Sequence, residues 1–201
     1  GSPVSAWGRG GSARRGGYLG AGPFSGTEYI TATMGYEIGP NDHDLMMRLV
    51  KAGDEHAKFM RMIHVQMDIL APLYWHKQAD TYKVGFVTNS CSTMHKIHAK
   101  EFVLDDFSTE HLINGTSKIM LRGVIDLMNQ YRNQYLDTKN KEYWWQMIQL
   151  LPDSYNQLRT CDTNYATLRK MYHQRKGHKL DEWNDFRAWV EELPYSELIY
   201  Y

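Results

Sequence analysis

From Phe59 to Leu70 apolar and polar side chains alternate, with Ile63, Val65, Met67 and Ile69 on one face and His64, Gln66 and Asp68 on the other. A period of two predicts a half-buried strand over the second half of this stretch. Elsewhere the period is helical. Asn41 or Asp42 can cap a short helix that turns Leu45, Met46, Leu49 and Val50 inward and stops at Gly53. Pro72 suits the first turn of a helix running through Gln78. Ser117 to Leu136 predicts a long amphipathic helix, with Met120, Val124, Leu127, Met128, Tyr131 and Tyr135 inward. Further helices are expected over Lys141–Leu151 with Trp144, Met147, Ile148 and Leu151 on one face, after Asn164 with Leu168, Met171 and Tyr172 inward, and from Asp181 with Trp183, Phe186, Val190 and Leu193 inward, ended by Pro194. Val84 to Met94 is polar and turn-rich and reads as an ordered loop. The order predicts an α+β fold, dominated by helices and carrying a small antiparallel sheet.

Residues 1–26 depart from this pattern. They hold nine of the 16 glycines, with Arg9, Arg14 and Arg15 and few large apolar residues. Such a stretch buries too little to offset its backbone entropy, so it is expected to be a disordered tail or an expression remnant. Residues 27–201 are expected to form one domain, its folded part starting near Tyr29.

Composition narrows the class. Hydrophobic residues make up 42% of 201, ordinary for a globular chain. Lys plus Arg and Asp plus Glu stand at 23 each. That balance calls for neither a nucleic-acid backbone nor a membrane surface. Cys91 and Cys161 have no partner at metal or redox-motif spacing, which suits a reducing, cytoplasmic compartment.

Candidate chemistry lies in three places. Thr88-Asn89-Ser90-Cys91-Ser92-Thr93 strings hydroxyl and amide donors together, as a phosphate nest does and as a self-bonded loop does. Arg159, Arg169, Lys170, Arg175, Lys176 and Lys179 make the C-terminal third basic; a solvated helix end gives the same pattern. His95 and His98 stand three apart, but no carboxylate completes a metal set. No phosphate-binding P-loop, GxSxG or CxxC occurs, so an enzyme built on this chain relies on a cofactor for the hard chemistry.

Two segments carry a family resemblance. Val65-Gln-Met-Asp-Ile-Leu-Ala-Pro-Leu-Tyr-Trp-His-Lys-Gln78 resembles the part of the flavin-dependent thymidylate synthases (ThyX) where a strand leads into Ala-Pro and a short helix ends in Gln; Pro72 and Gln78 keep the family's separation of six. Leu151-Pro152, Asn164 twelve residues later, Arg175 eleven after that, then His178 and Trp183, resemble the family's C-terminal nucleotide-binding segment. Together they cover about half the chain. The resemblance implies a ThyX-like fold and a homotetramer. It implies a nucleotide monophosphate such as dUMP held by Gln78, Ser90, Ser92 and Arg175, with Lys83, Asn89, Asn164 and His178 on the cofactor side. The chemistry implied is reductive methylation of dUMP, with FAD, NADPH and methylenetetrahydrofolate, and no protein nucleophile.

The departures fall on the flavin side. Thr81-Tyr82-Lys83 stands where the family has Arg-His-Arg, and Asn89-Ser90-Cys91-Ser92-Thr93-Met94 where it has Asn-Glu-x-Ser-x-Arg. Two lost charge-assisted contacts, each worth roughly 1.5–3 kcal/mol, weaken FAD by several orders of magnitude. The alternative is therefore a non-catalytic binding or interaction protein that kept the fold and lost flavin chemistry. The chain is also similar to small proteins carried by phages and prophages.

Overall fold

The computed structural model describes residues 38–201 except Cys91, together with two short stretches, Ala13–Arg15 (β1) and Ile30–Ala32 (β2); the side chains of those strands and of Thr93 and Met94 are outside the description. β1 and β2 pair antiparallel, with Ala13 opposite Ala32 and Arg15 opposite Ile30. The rest of the expected 1–26 tail, the expected start near Tyr29, and Cys91 lie outside the described residues.

The chain folds as two compact units. Of the described residues, those up to Leu70, with Lys77–Asn89 and Arg159–Tyr201, form one; Ala71–His76 and the described part of Ser90–Leu158 form the other. A small antiparallel sheet has the order β3 (His64–Pro72), β5 (Asn156–Asn164), β4 (Phe86–Ser90). β3 follows the alternation in the sequence: Ile63, Val65, Met67 and Ile69 are buried, while His64 is exposed and Gln66 and Asp68 are half-buried. His64 and Asp68 do not pair with each other. His64 faces Asp162 at 3.5 Å, and Asp68 accepts from the Thr160 hydroxyl at 2.6 Å.

In the first unit, α1 spans Pro40–Ala52 and buries Met46 and Val50. Its N-cap is Gly39, upstream of the expected caps Asn41 and Asp42, and Pro40 sits in its first turn, while Leu45, expected inward, is exposed. Gly53 ends it at φ 119°. Pro72 closes β3, and α2 follows over Leu73–Ala79, with residues 73–76 in the second unit and 77–79 in the first. β5 runs into α6 (Tyr165–Gln174), where Asn164 caps by accepting the Thr167 N–H at 3.0 Å. α7 (Glu182–Glu191) and α8 (Glu197–Tyr200) follow. Trp183, Trp189, Phe186, Tyr165, Leu168 and Met171 are almost fully buried. Each such side chain contributes about 1.5–3 kcal/mol on leaving water, so this aromatic core is what anchors α6 and α7.

The second unit contains α3 (Thr93–Lys96), α4 (Gly115–Thr138) and α5 (Lys141–Leu150). Its core joins Ile97, Phe102 and Phe107 to Ile125, Met128 and Met147. Asn129 of α4 fixes the extended stretch at Phe102 by accepting its N–H and donating to its carbonyl, both at 2.9 Å. Met120 and Leu127 were expected inward but lie exposed. The stripe facing this core runs instead through Leu121, Val124, Ile125 and Met128.

Two further expectations need correction. The stretch expected to be a loop from Val84 to Met94 contains β4, because Phe86-Val87-Thr88 suits an extended edge strand with Phe86 turned inward. No strand was expected at Asn156–Asn164, which nevertheless forms the middle of the sheet; the side chains it buries include the polar Gln157 and Thr163.

Candidate functional site

α2 ends in a tight turn. The Gln78 carbonyl accepts the Thr81 N–H at 3.3 Å and the Thr81 hydroxyl at 2.8 Å, and the Tyr82 N–H bonds to the Ala79 carbonyl at 3.0 Å. The turn drops the Tyr82 ring into the core, 7% exposed. Asp80 in the same turn is paired with Arg159 at 2.8 Å. Nearly a hundred residues later, α6 ends at Arg175, which caps it through an N–H bond to the Met171 carbonyl at 3.0 Å. Gly177, at φ 68°, then turns the chain toward α7, whose first turn carries Trp183.

These segments meet at the Arg175 guanidinium. Nη1 donates to Gln78 Oε1 at 3.2 Å, and Nη2 donates to the Gln78 carbonyl at 3.4 Å and to Thr81 Oγ1 at 3.3 Å. The cation also lies over two rings, 5.1 Å from the centre of Tyr82 and 4.6 Å from that of Trp183. Its buried Nε has no hydrogen-bond partner among the described residues. Arginine has donors only, so the amide oxygen of Gln78 must face it. That leaves the Gln78 Nε2 hydrogens as donors on the other side of the amide. A cation and an amide donor held together suit a ligand rich in acceptors, such as a pyrimidine carbonyl or a phosphate oxygen.

His178 flanks the cluster, its ring 6.2 Å from that of Trp183. Its Nδ1 accepts the Leu180 N–H at 3.1 Å, so the proton of the neutral ring sits on Nε2. Burial lowers the His178 pKa and the neighbouring Arg175 charge lowers it further, against an opposing pull from Glu182.

Of the residues singled out in the sequence, Gln78 and Arg175 are in direct contact. Asn164 is the N-cap of α6, its oxygen engaged by Thr167. Lys83 and Asn89 are exposed, Lys83 just after the turn and Asn89 in β4. Ser90 ends β4, exposed; Ser92 precedes α3, with its hydroxyl oxygen accepting the His95 N–H at 3.3 Å. Tyr82, Thr81 and Trp183 complete the surroundings of Arg175 and were not assigned a role from the sequence. The sequence signals were that Thr81-Tyr82 departs from the family's cationic pair and that Trp183 follows Arg175 and His178 as in the family's C-terminal segment. The described residues hold no group of three or more His, Cys, Asp or Glu side chains placed to bind a metal. No described helix is long and apolar enough to cross a membrane. Cys161 is buried, and desolvation pushes its thiol up to about 12, which makes it inert as a nucleophile.

No protein-family model matches the sequence, and no curated protein sequence matches it. Solved structures do. A crystal structure of thymidylate synthase X (ThyX) from Helicobacter pylori with FAD and dUMP is 14% identical, with a TM-score of 0.64 over 82% of this chain and 85% of that one. A second structure, of flavin-dependent thymidylate synthase ThyX from the same organism complexed with FAD and dUMP, is also 14% identical, with a TM-score of 0.61 over 81% and 83%. At that identity the likeness establishes architecture: the chain has a ThyX-like α+β fold.

Proposed function

We propose that this chain binds a pyrimidine nucleoside monophosphate such as dUMP, with Gln78 and Arg175 as its principal contacts. One observation carries the reading. Gln78 and Arg175 lie 97 residues apart in the chain and were singled out from separate segments, yet they meet at 3.2 Å. The fold adds support, since the solved structures it resembles are described as holding FAD and dUMP. In the proposed complex Arg175 supplies the charge and Gln78 orients the base through its amide. Ser90 and Ser92 are proposed phosphate donors on the strength of the family resemblance alone.

The flavin side is thinner. Thr81 and Tyr82 stand where the family has cations. Here both are turned onto Arg175: the Thr81 hydroxyl accepts from it and the Tyr82 ring lies against it. Neither offers a positive charge to a pyrophosphate. Lys83 is exposed and keeps a basic side chain where the family has Arg, while the Asn164 oxygen is engaged in capping. This set fits FAD poorly, so a weak FAD complex is proposed, with Lys83, Asn89, Asn164 and His178 as its remaining contacts. No catalytic step is derived through the flavin. If catalysis is retained, it is flavin-dependent one-carbon transfer to dUMP with NADPH and methylenetetrahydrofolate. The weak flavin set favours the second reading, a binding protein on this fold without flavin chemistry. A homotetramer is proposed in either case.

Calorimetry with dUMP on the wild type and on Arg175→Ala tests nucleotide binding. A charge-assisted contact is worth roughly 1.5–3 kcal/mol, so the variant should bind about tenfold more weakly or worse. A wild type that binds no pyrimidine monophosphate in the millimolar range overturns the reading.

A further inference from the structure

The Arg175 side chain has one ring contact from the turn after α2 and another from α7. Tyr82 contributes the first and stands where the resembled family carries a histidine. A protonated imidazole there would face the guanidinium as a like charge across about the same 5.1 Å. A neutral, electron-rich phenol ring at that place attracts it instead. Thr81 acts alongside, since its hydroxyl accepts from Nη2, which a cationic side chain has no lone pair to do. The two substitutions that read in the sequence as lost flavin contacts therefore converge on one side chain.

The geometry points to Tyr82 as a positioning residue for Arg175. Its ring, with that of Trp183, holds the guanidinium in place before any nucleotide arrives. This rests on the reading of Arg175 as a nucleotide contact. A long arginine that is already ordered loses little rotamer freedom on binding. The Tyr82 ring thereby tightens nucleotide binding without touching the ligand. The Tyr82 ring packs edge to face on Trp183, centroids 6.3 Å apart, and Gln78 and Thr81 bond the guanidinium from the turn that the buried Tyr82 ring anchors.

Tyr82→Phe and Tyr82→Met separate this role from simple packing. Both fill the buried space, but only Phe presents a ring face. Two readouts apply. In the nucleotide-free protein, the Arg175 Nε–H resonance should be shielded by the rings and protected from exchange in the wild type and in Tyr82→Phe. It should move to an ordinary arginine position in Tyr82→Met. In dUMP titrations, Tyr82→Phe should match the wild type and Tyr82→Met should bind roughly two- to twelvefold more weakly, the cost of re-ordering one long side chain. In an Arg175→Ala background the Met substitution should have no further effect. An unmoved Nε–H resonance in Tyr82→Met overturns the positioning role, as does an equal loss of affinity with and without Arg175. A wild type that binds no nucleotide overturns the functional reading instead, and the nucleotide-free resonance then decides the positioning of Arg175 by itself.

Discussion

Gly85 joins the turn after α2 to β4 and is held against the start of α6. Its φ is +82°, and a β-carbon built on it would stand 2.4 Å from Thr167 Oγ1 and 3.2 Å from Asn164 Nδ2. Its carbonyl accepts the Thr163 hydroxyl at 2.7 Å, which limits how far the backbone can retreat. Gly85→Ala should therefore destabilise in two ways. A left-handed conformation costs an L-residue about 1–2 kcal/mol. Driving Thr167 off its rotamer and disturbing the Asn164 cap adds about 1–2 kcal/mol. The sum, about 2–4 kcal/mol, lowers Tm by roughly 5–15 °C for a chain of this length. Thermal unfolding followed by circular dichroism measures it. Adding Thr167→Ala removes the clash but not the backbone term, so about half the loss should return relative to Thr167→Ala alone. A Gly85→Ala protein that melts with the wild type would refute this account of how α6, and Arg175 at its far end, is anchored.

Three further outcomes follow from the cluster and its surroundings. Because the folded-state pKa of His178 lies below the ordinary 6.5, the unfolded chain takes up the proton first, and so stability should fall as pH drops below about 6.5 and level off below the folded value. The imidazole should titrate below 6.5 by NMR and shift upward in Arg175→Ala; a midpoint at or above the ordinary value contradicts the burial seen here. FAD titrated into the apo-protein should bind weakly, and a flavin retained through purification would show that other cations replace those missing at Thr81 and Tyr82. Light scattering should report a tetramer, and a monomer at micromolar concentration would count against the proposed assembly.

The parts of the fold that were legible in the sequence are those whose burial is apolar and periodic. β3 announced itself through Ile63, Val65, Met67 and Ile69, and α5 through Trp144, Met147 and Ile148. β5 gave no such signal. Among the side chains it buries, Gln157 and Thr163 are polar; the Thr163 hydroxyl is satisfied by the Gly85 carbonyl. A strand with polar inward positions looks like a loop until its partners are known. The candidate site divides the same way. Gln78 and Arg175 were reachable through family-like spacing. The ring contacts of Tyr82 and Trp183 with Arg175 were not, because they depend on where a turn and two helix ends come together in space. Helical periodicity read Trp183 only as an inward residue, and the departure at Tyr82 looked like a loss.

The most direct test of the central claim is a crystal structure of the protein with dUMP. The account predicts the nucleotide at the Gln78–Arg175 pair, with acceptor oxygens within about 3.2 Å of Gln78 Nε2 or the guanidinium and the Tyr82 and Trp183 rings still against Arg175. Nucleotide bound elsewhere on the chain, with the Gln78–Arg175 pair untouched, would contradict it.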